Sequence, residues 1–177
     1  MDVDPVTDMP APPDLAGPPA GQVTALYHAH AAGLVRLAML MLADQQAAED
    51  VVQDAFLGLY RRWGALSDPA KALVYVRSSV LNGCRTVLRK RSRRLPAFRE
   101  PDAESAEALA LLGEEHREVL AALRRLPARQ REAVVLRHCL GLQEDEVATA
   151  MNISRGTVKS ASSRGIASLA RMLKEES

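Results

Sequence analysis

The fold of this chain is decided near its C-terminus by the stretch GLQEDEVATAMNISRGTVK, which runs from Gly141 to Lys159. Apolar residues recur at helical spacing on either side of a short polar break, so we expect a helix over 144–150, a turn over 151–154 and a last helix over 155–173. Ser154 is a good N-cap for that last helix, because its hydroxyl can accept a hydrogen bond from the first turn. This spacing is typical of a helix-turn-helix, whose second helix can enter the major groove of DNA.

The two helices of this motif are expected to pack through small and apolar side chains. The residues that would hold the helices together are Val147, Ala148, Met151, Ile153 and Val158. On the last helix, the residues predicted to face inward are Val158, Ala161, Ser162, Gly165 and Leu169. Their small size would allow a close approach of the helices. The residues predicted to face outward are Thr157, Lys159, Ser160, Ser163 and Arg164, with Arg155 near the helix N-terminus.

Helical periodicity also covers most of the remaining chain. We expect helices over 24–42, 45–63, 70–94, 104–126 with a break at Gly113, and 127–141, with Asp44 as the N-cap of the second and Pro69 opening the third. No segment shows the alternating period of a strand, and aromatic residues make up only 3% of the 177 residues. We therefore predict an all-α fold of two small helical domains, 22–95 and 116–177, joined by a charged linker (96–115) and preceded by a proline-rich disordered tail (1–21).

Charge is segregated along the chain, although the net charge is only +1. A basic block contains Arg85, Arg89, Lys90, Arg91, Arg93, Arg94 and Arg99. An acidic block follows, with Glu100, Asp102, Glu104, Glu107, Glu114, Glu115 and Glu118. Blocks of this kind favour polyanion binding next to an acidic linker, and a solvated charged face is the alternative interpretation.

Signals of enzymatic chemistry are absent from the sequence. The four histidines and two cysteines lack metal-ligand spacing, and there is no glycine-rich phosphate loop or nucleophile motif. We therefore expect neither an enzyme nor a cofactor or metal. Cys84 and Cys139 lie in apolar helical patterns and are expected to fill the core. No run of about 18 apolar residues predicts a membrane span, so a reducing cytoplasm is the default location.

The second predicted helix has one apolar and one acidic face. The apolar stripe consists of Val52, Phe56, Leu59 and Trp63. Asp50, Gln53 and Asp54 lie on roughly the opposite side, where carboxylates and an amide can pair with cations of a partner protein. Taken alone, this helix favours a solubilising surface.

The third predicted helix has a polar face that suits a nucleic acid. Its core face consists of Leu73, Val76, Val80, Cys84 and Val87. The opposite face carries Tyr75, Asn82, Arg85 and Arg89. Arginines neutralise phosphates, asparagine can read a base edge and tyrosine can stack on an unpaired base. Arg77 falls near the apolar side, so we interpret it as structural.

Several segments together resemble the extracytoplasmic-function (ECF) group of the sigma-70 family of RNA polymerase sigma factors, especially an actinobacterial subgroup. EDVVQDAF (Glu49–Phe56) is similar to region 2.2, and YVRSSVLNGCRTVLRK (Tyr75–Lys90) to regions 2.3–2.4. LPARQREAVVLR (Leu126–Arg137), with GTVKS (Gly156–Ser160) and SRG (Ser163–Gly165), is similar to region 4. These motifs occur in family order and cover nearly everything except the N-terminal tail.

The resemblance implies a transcription initiation factor with three binding surfaces. Asp50, Gln53 and Asp54 would dock on the clamp helices of the polymerase β′ subunit. In region 2, Asn82 would contact a base of the −10 promoter element, Arg85 and Arg89 would hold phosphates, and the loop Gly64–Asp68 would receive a flipped base. The residues implied to read the −35 element are Arg155, Lys159, Ser160, Ser163 and Arg164.

The resemblance also implies further partners, and this chain departs from the family pattern at two positions. A groove of region 4 would take the tip of the β flap, and the acidic linker would thread a polymerase channel. Many relatives are held inactive by an anti-sigma factor, and the sequence alone does not decide whether this chain has one. Gln143 stands where many relatives have Ser or Thr as a helix cap, so that helix start is expected to be looser. Ala161 replaces a larger residue that is often basic.

Two other classes of protein fit parts of the sequence. A transcription regulator could use the helix-turn-helix without core polymerase, but it would not need the acidic–amide patch at Asp50–Asp54. A helical adaptor that binds only proteins would not need Arg155, Lys159 and Arg164 on one helix.

Overall fold

The computed structural model describes residues 20–66, 68–94 and 114–175, and every structural statement below concerns these residues. The helices are α1 (Ala20–Leu42), α2 (Gln45–Arg62), α3 (Ala72–Arg94), α4 (Glu114–Arg125), α5 (Ala128–Val134), α6 (Glu144–Met151) and α7 (Arg155–Glu175). Short 3-10 turns cover Trp63–Ala65 and Pro69–Lys71, and a π-helical turn, Val135–Cys139, continues α5. The described residues are helical without a strand, as predicted.

Helices α1, α2 and α3 form one packed group, here called the front module. The chain turns sharply from α1 into α2 at Ala43, whose φ is 53°. Asp44 then caps α2 as predicted, since its carboxylate accepts a hydrogen bond of 2.9 Å from the Ala47 N–H. Arg91 of α3 reaches back to this corner, where it donates to the Leu42 carbonyl and pairs with Asp44. One guanidinium therefore ties the end of α3 to the junction of the other two helices.

The core of the front module follows the predicted apolar stripes. Val52, Phe56 and Leu59 of α2 are buried and Trp63 is half-buried. On α3, Val76, Val80 and Cys84 are buried, and Leu81, which the stripe did not include, is also fully buried. A Cβ atom at Gly83 would lie 2.7 Å from Val51 Cγ1, so α2 and α3 approach closely there.

Helices α4 to α7 form a second group, here called the rear module. All five residues predicted to face inward on α7 are buried: Val158, Ala161, Ser162, Gly165 and Leu169. Gly141 ends the preceding turn with a φ of 67°, and Asn152 ends α6 with a φ of 55°. Both lie in the left-handed region, which glycine and asparagine tolerate best.

The start of α6 depends on a glutamate rather than on the residue at the cap position. The Gln143 N–H donates to Glu146 Oε2 over 2.9 Å, which is one half of a capping box. This hydrogen bond, followed by Arg77, lowers the pKa of Glu146 below its usual range. The looser start expected from Gln143 is thus offset by a carboxylate one turn later.

The two modules pack directly against each other, which the sequence did not predict. Helix α3 lies against α6, and α1 lies against α4 and the π-helical turn. Buried apolar residues of both modules form one continuous cluster. This contact places the surface of α3 next to the helix-turn-helix.

Several expectations are corrected or lie outside the described residues. Cys139 is exposed rather than part of the core, whereas Cys84 is buried as expected. Helix α1 begins at Ala20, four residues before the predicted start. The predicted tail and linker fall mainly on residues outside the described ranges.

By length and composition alone, one helix among the described residues is long and apolar enough to cross a membrane, although it is not an unbroken apolar run. Residues Gly21–Leu42 reach a mean hydropathy of 1.3 over a helix that is long enough to cross one. In the fold, Leu34, Leu37 and Met41 of this helix are buried in the front-module core. We therefore interpret α1 as a core helix.

Candidate polymerase and promoter surfaces

The acidic–amide face of α2 is exposed as predicted. Asp50, Gln53 and Asp54 all lie at the surface. Gln46 donates a hydrogen bond of 2.9 Å to Asp50 Oδ1, which orients that carboxylate without neutralising it. Among the described residues, neither Asp50 nor Asp54 has a cationic partner within salt-bridge distance. The face is therefore a source of uncompensated negative charge.

Two exposed apolar residues that the sequence analysis missed lie within this same face. Leu57 is 51% exposed and Tyr60 is 42% exposed. At about 100° per residue, both fall within 40° of Gln53 around the helix axis. An apolar centre surrounded by polar groups is typical of a protein–protein interface. The signal was available, because both residues lie off the apolar stripe of α2.

The residues predicted on the polar face of α3 differ in how exposed they are. Asn82 and Arg89 are exposed, whereas Tyr75 is half-buried against the core beside Gly58. Arg89 donates to the Thr86 hydroxyl over 3.3 Å, so it keeps most of its donors for another ligand. Tyr75 is less accessible for stacking than the sequence suggested.

Arg85 is already paired, and its partner belongs to the rear module. Its Nε and Nη2 atoms donate to the two carboxylate oxygens of Glu132 over 2.7 and 2.6 Å. Its Nη1 donates to Asn82 Oδ1 over 2.9 Å. Hydrogen bonding to Glu132 raises the pKa of Arg85 above its ordinary value. The guanidinium that should hold a phosphate therefore holds a carboxylate instead.

The recognition helix α7 presents all five predicted −35 residues to solvent: Arg155, Lys159, Ser160, Ser163 and Arg164. Ser154 caps this helix as predicted, since its hydroxyl accepts from the Thr157 N–H over 3.2 Å. The side chains of Arg155 and Arg164 make local contacts at the surface. Arg155 pairs with Asp145 of α6 over 2.9 Å, and Arg164 Nε donates to the Ser160 carbonyl over 3.2 Å.

This arrangement can bind a polyanion with defined geometry. Three cations on successive turns of one exposed helix suit phosphates and base edges in a DNA groove. The exposed Ser163 hydroxyl adds a donor and an acceptor, and the Ser160 hydroxyl, which donates to the Thr157 carbonyl over 3.1 Å, adds an acceptor. Within the described residues, no cluster of three or more His, Cys, Asp or Glu side chains could hold a metal ion.

The sequence matches family models at both modules. A model of sigma-70 region 2 matches residues 26–94, and a model of sigma-70 region 4 matches residues 116–169. Together they cover the described helices almost completely. The acidic–amide face and the polar face of α3 lie in the first match, and the helix-turn-helix lies in the second.

Similar proteins and structures agree with these matches. The RNA polymerase sigma-E factor of Streptomyces avermitilis is 32% identical over 140 residues, which cover 77% of this chain and 76% of that protein. The ECF RNA polymerase sigma factor SigM of Mycobacterium tuberculosis is 34% identical over 148 residues, which cover 84% of this chain and 75% of that protein.

Two solved structures share the fold at lower identity. CnrH in complex with the cytosolic domain of CnrY has a TM-score of 0.70 at 24% identity and covers 88% of this chain and 89% of that one. The sigma factor RpoE of Bartonella quintana, in complex with the anti-sigma factor NepR, has a TM-score of 0.68 at 22% identity and covers 85% of this chain and 96% of that one. With these similarities and the geometry above, the chain belongs to the ECF group of the sigma-70 family of RNA polymerase sigma factors.

Proposed function

We propose that this protein binds core RNA polymerase, recognises the −10 and −35 elements of a promoter and directs transcription initiation there. The observation that carries the proposal is the separation of charge between three surfaces. The acidic–amide face lies on α2, while exposed cations that suit DNA lie on α3 and α7, namely Arg89, Lys159 and Arg164. A protein that must bind both another protein and DNA needs such a division, because an acidic surface repels phosphates.

The acidic–amide face is proposed as the polymerase-binding surface. Asp50, Gln53 and Asp54 would pair with cationic and amide groups on the β′ clamp helices. Leu57 and Tyr60 would supply the apolar centre of that contact, where most of the binding free energy of an interface usually resides. The sequence analysis found only the polar part of this surface.

The polar face of α3 and the helix α7 are proposed as the promoter-binding surfaces. Asn82, Arg85 and Arg89 would contact the −10 element, with Tyr75 beside them. Arg155, Lys159, Ser160, Ser163 and Arg164 would contact the −35 element. Helix α7 is firmly placed for this role by its buried inner face, since a rigid helix holds its side chains in register with the bases.

The chemistry of transcription would belong to the polymerase. We propose that this chain acts without catalysis of its own, in the cytoplasm where the polymerase works. The front module is proposed to span 22–95, and the rear module 116–177, with a linker between them. A protein that holds the factor inactive, as an anti-sigma factor does, is a further expected partner.

Two charge changes test whether the surfaces have been assigned correctly. Asp54→Arg reverses a charge on the acidic–amide face and should abolish binding to purified core polymerase in a pull-down. Glu118→Arg makes the same change at an exposed site of α4 and should leave core binding intact. If both variants bind core polymerase as well as the wild-type protein does, the assignment of this face is wrong.

A second pair of variants tests the promoter surface. Arg164→Ala should lower promoter-dependent transcription with core polymerase while core binding is retained. Arg171→Ala, two turns further along α7, serves as the matched control and should leave transcription unchanged. If Arg164→Ala loses core binding, and transcription with it, the two surfaces have been interchanged.

The same assays separate the proposal from a regulator that works without polymerase. Such a regulator would shift promoter DNA in a gel without core polymerase and would ignore Asp54→Arg. The sigma factor proposed here should give a promoter-specific shift only when core polymerase is present.

A further inference from the structure

A groove, here called the flank groove, runs along one side of the recognition helix α7 within the rear module. Its basic and hydroxyl-bearing lining residues are Arg137 and His138 of the π-helical turn and Lys159, Ser162 and Ser163 of α7. The groove has a volume of about 270 Å³. At about 30 Å³ for each water molecule, this volume leaves room for a phosphate group with several waters around it.

The flank groove borders the side of α7 that is proposed to face DNA. At about 100° per residue, Ser163 lies about 40° from Lys159 around the helix axis, and Ser162 lies about 60° from it on the other side. A recognition helix turns one face to the base edges, and its flanks run beside the sugar-phosphate backbones that border the major groove. The flank groove is therefore placed to receive a backbone phosphate rather than a base.

His138 is held on the wall of the flank groove by a hydrogen bond to α7. Its Nε2 atom lies 3.3 Å from the hydroxyl oxygen of Ser162. Ser162 is buried, and a buried hydroxyl is costly to leave without a hydrogen-bond partner, so this contact fixes the imidazole ring. The His138 side chain is otherwise exposed, and its Nδ1 atom makes no hydrogen bond within the described residues. The ring therefore has one nitrogen committed to the protein and one free for a ligand.

The charged groups that share the flank groove with His138 are two cations and one anion. Arg137 precedes His138 on the π-helical turn, and Lys159 lies across the groove on α7. Glu144, at the start of α6, supplies the carboxylate. Two positive charges and one negative charge leave the groove at +1 when the imidazole is neutral and at +2 when it is protonated.

The other elements that pack against the π-helical turn do not add charge to the flank groove. Helix α1 contacts this turn, but its His30 and Arg36 line a separate cavity beside Cys139, which His138 does not line. None of the charged residues of α5 lines the flank groove. The charge of the groove is therefore set by His138 and the three groups around it.

We propose that the flank groove binds a phosphate of the DNA backbone beside the −35 element, and that His138 is the titratable contact to that phosphate. A protonated imidazole has two N–H donors, so Nε2 keeps its bond to Ser162 while Nδ1 donates to a phosphate oxygen. A neutral imidazole has one N–H donor and no charge. Since the charge of an imidazole changes between about pH 5 and 8, this contact should strengthen as the pH falls through that range. The proposal rests on the proposed function, because it adds a contact to the −35 surface.

The size of the effect is that of one added phosphate contact. Each neutralised phosphate steepens the dependence of the logarithm of the binding constant on the logarithm of the salt concentration by about 0.9. Protonation of His138 should therefore steepen this salt slope by up to about 0.9. Core polymerase has titratable groups of its own, so the deciding quantity is the difference between the wild-type protein and a variant that cannot gain the proton.

The test measures binding of the holoenzyme, formed from core polymerase and the full-length chain, to a fluorescent promoter fragment. The fragment is first selected as one whose transcription is lowered by Arg164→Ala. Binding constants are then measured over a series of KCl concentrations at about pH 6 and about pH 8, in buffers without phosphate. His138→Gln can still form a hydrogen bond with Ser162 but cannot become charged. His28→Gln is the matched control, because His28 is an exposed histidine of α1 in the front module.

We expect the wild-type protein and His28→Gln to gain up to about 0.9 more in salt slope between the higher and the lower pH than His138→Gln gains. His138→Arg carries a permanent charge and should keep the steeper slope at both pH values. Circular dichroism checks that each variant is folded, and His138→Arg alone decides the outcome if His138→Gln is not. The same pH dependence in His138→Gln and the wild-type protein, or a shallow slope in His138→Arg, would overturn the proposal. A holoenzyme that binds no promoter fragment at either pH would instead refute the proposed function.

Discussion

Replacing Gly165 by alanine should destabilise the rear module, although alanine is the better helix former. A Cβ atom at this position would lie 2.6 Å from Val134 Cγ2 and 3.3 Å from the Gln130 carbonyl oxygen. Non-bonded atoms prefer roughly 3.5–4.0 Å, so the first contact is about 1 Å too short. Both contacts are with α5, and one of them is a backbone atom, so a side-chain rotation alone cannot relieve them and the two helices would have to move apart. The clash therefore falls between two buried helices with little room to relax.

The expected magnitude follows from two opposing effects. Glycine to alanine in a helix normally stabilises by about 0.5–1 kcal/mol. Overpacking of a close-packed core typically costs about 1–3 kcal/mol. We expect Gly165→Ala to lower the free energy of unfolding by about 1–2 kcal/mol, which corresponds to a Tm lower by roughly 2–8 °C in a chain of this size. Urea unfolding followed by circular dichroism measures the change.

Two companion variants identify the cause. Gly156 lies on the same helix, where a Cβ atom would meet only the Ser154 hydroxyl at 4.0 Å, so Gly156→Ala should be neutral or stabilising. Val134→Ala removes the methyl group that clashes, so the double variant Gly165→Ala with Val134→Ala should lose less stability than the two single changes added together. If Gly165→Ala stabilises the protein as Gly156→Ala does, the close approach of α5 and α7 is not real.

Three further predictions concern local structure. Ser154→Ala should lower the free energy of unfolding by about 1 kcal/mol through loss of the N-cap of α7, measured by urea titration; an unchanged midpoint would contradict the cap. Asp44→Ala should lower the free energy of unfolding by about 1–2 kcal/mol, because it removes both the cap of α2 and the partner of Arg91. Asp44→Asn keeps the capping oxygen and should lower the free energy of unfolding by about half as much or less. Equal losses in the two variants would mean that the cap contributes nothing. At pH 8, a thiol reagent should modify the exposed Cys139 more slowly than a free thiol, because partial burial raises its pKa, and it should reach Cys84 only after denaturation. The native pKa of Cys84, about 12, leaves about one molecule in ten thousand ionised, so two thiols modified at equal rates would contradict this burial.

The sequence predicted those parts of the fold that depend on local spacing. The prediction of which residues lie on the inner face of α7 was correct at every position, because the period of a helix determines which side chains share a face. The caps at Asp44 and Ser154 were correct for a similar reason, since each needs only one side chain and the first turn that follows. The resemblance added the family, which spacing alone could not supply.

The sequence did not predict contacts between segments that are far apart in the chain. In the sequence, Glu132 is a single acidic residue within a basic helical stretch. Nothing near it indicates that its partner is Arg85, 47 residues earlier. Arg77 was interpreted as structural from its position near the apolar side of α3. The structure supports that interpretation, but the partner is Glu146 of the other module rather than the core of its own. Pairing of this kind depends on how the modules dock.

The buried carboxylate of Glu132 makes the contact between the two modules depend on its cationic partners. A buried charge that loses its partner is strongly destabilising, so a Glu132 side chain paired with Arg85 alone would be very sensitive to the loss of that arginine. Arg129 lies on the same helix, with its Nη1 atom 3.8 Å from Glu132 Oε2 and its side chain 58% exposed. A second cation is therefore within reach of the buried carboxylate, so the stability of the docked modules does not depend on Arg85 alone.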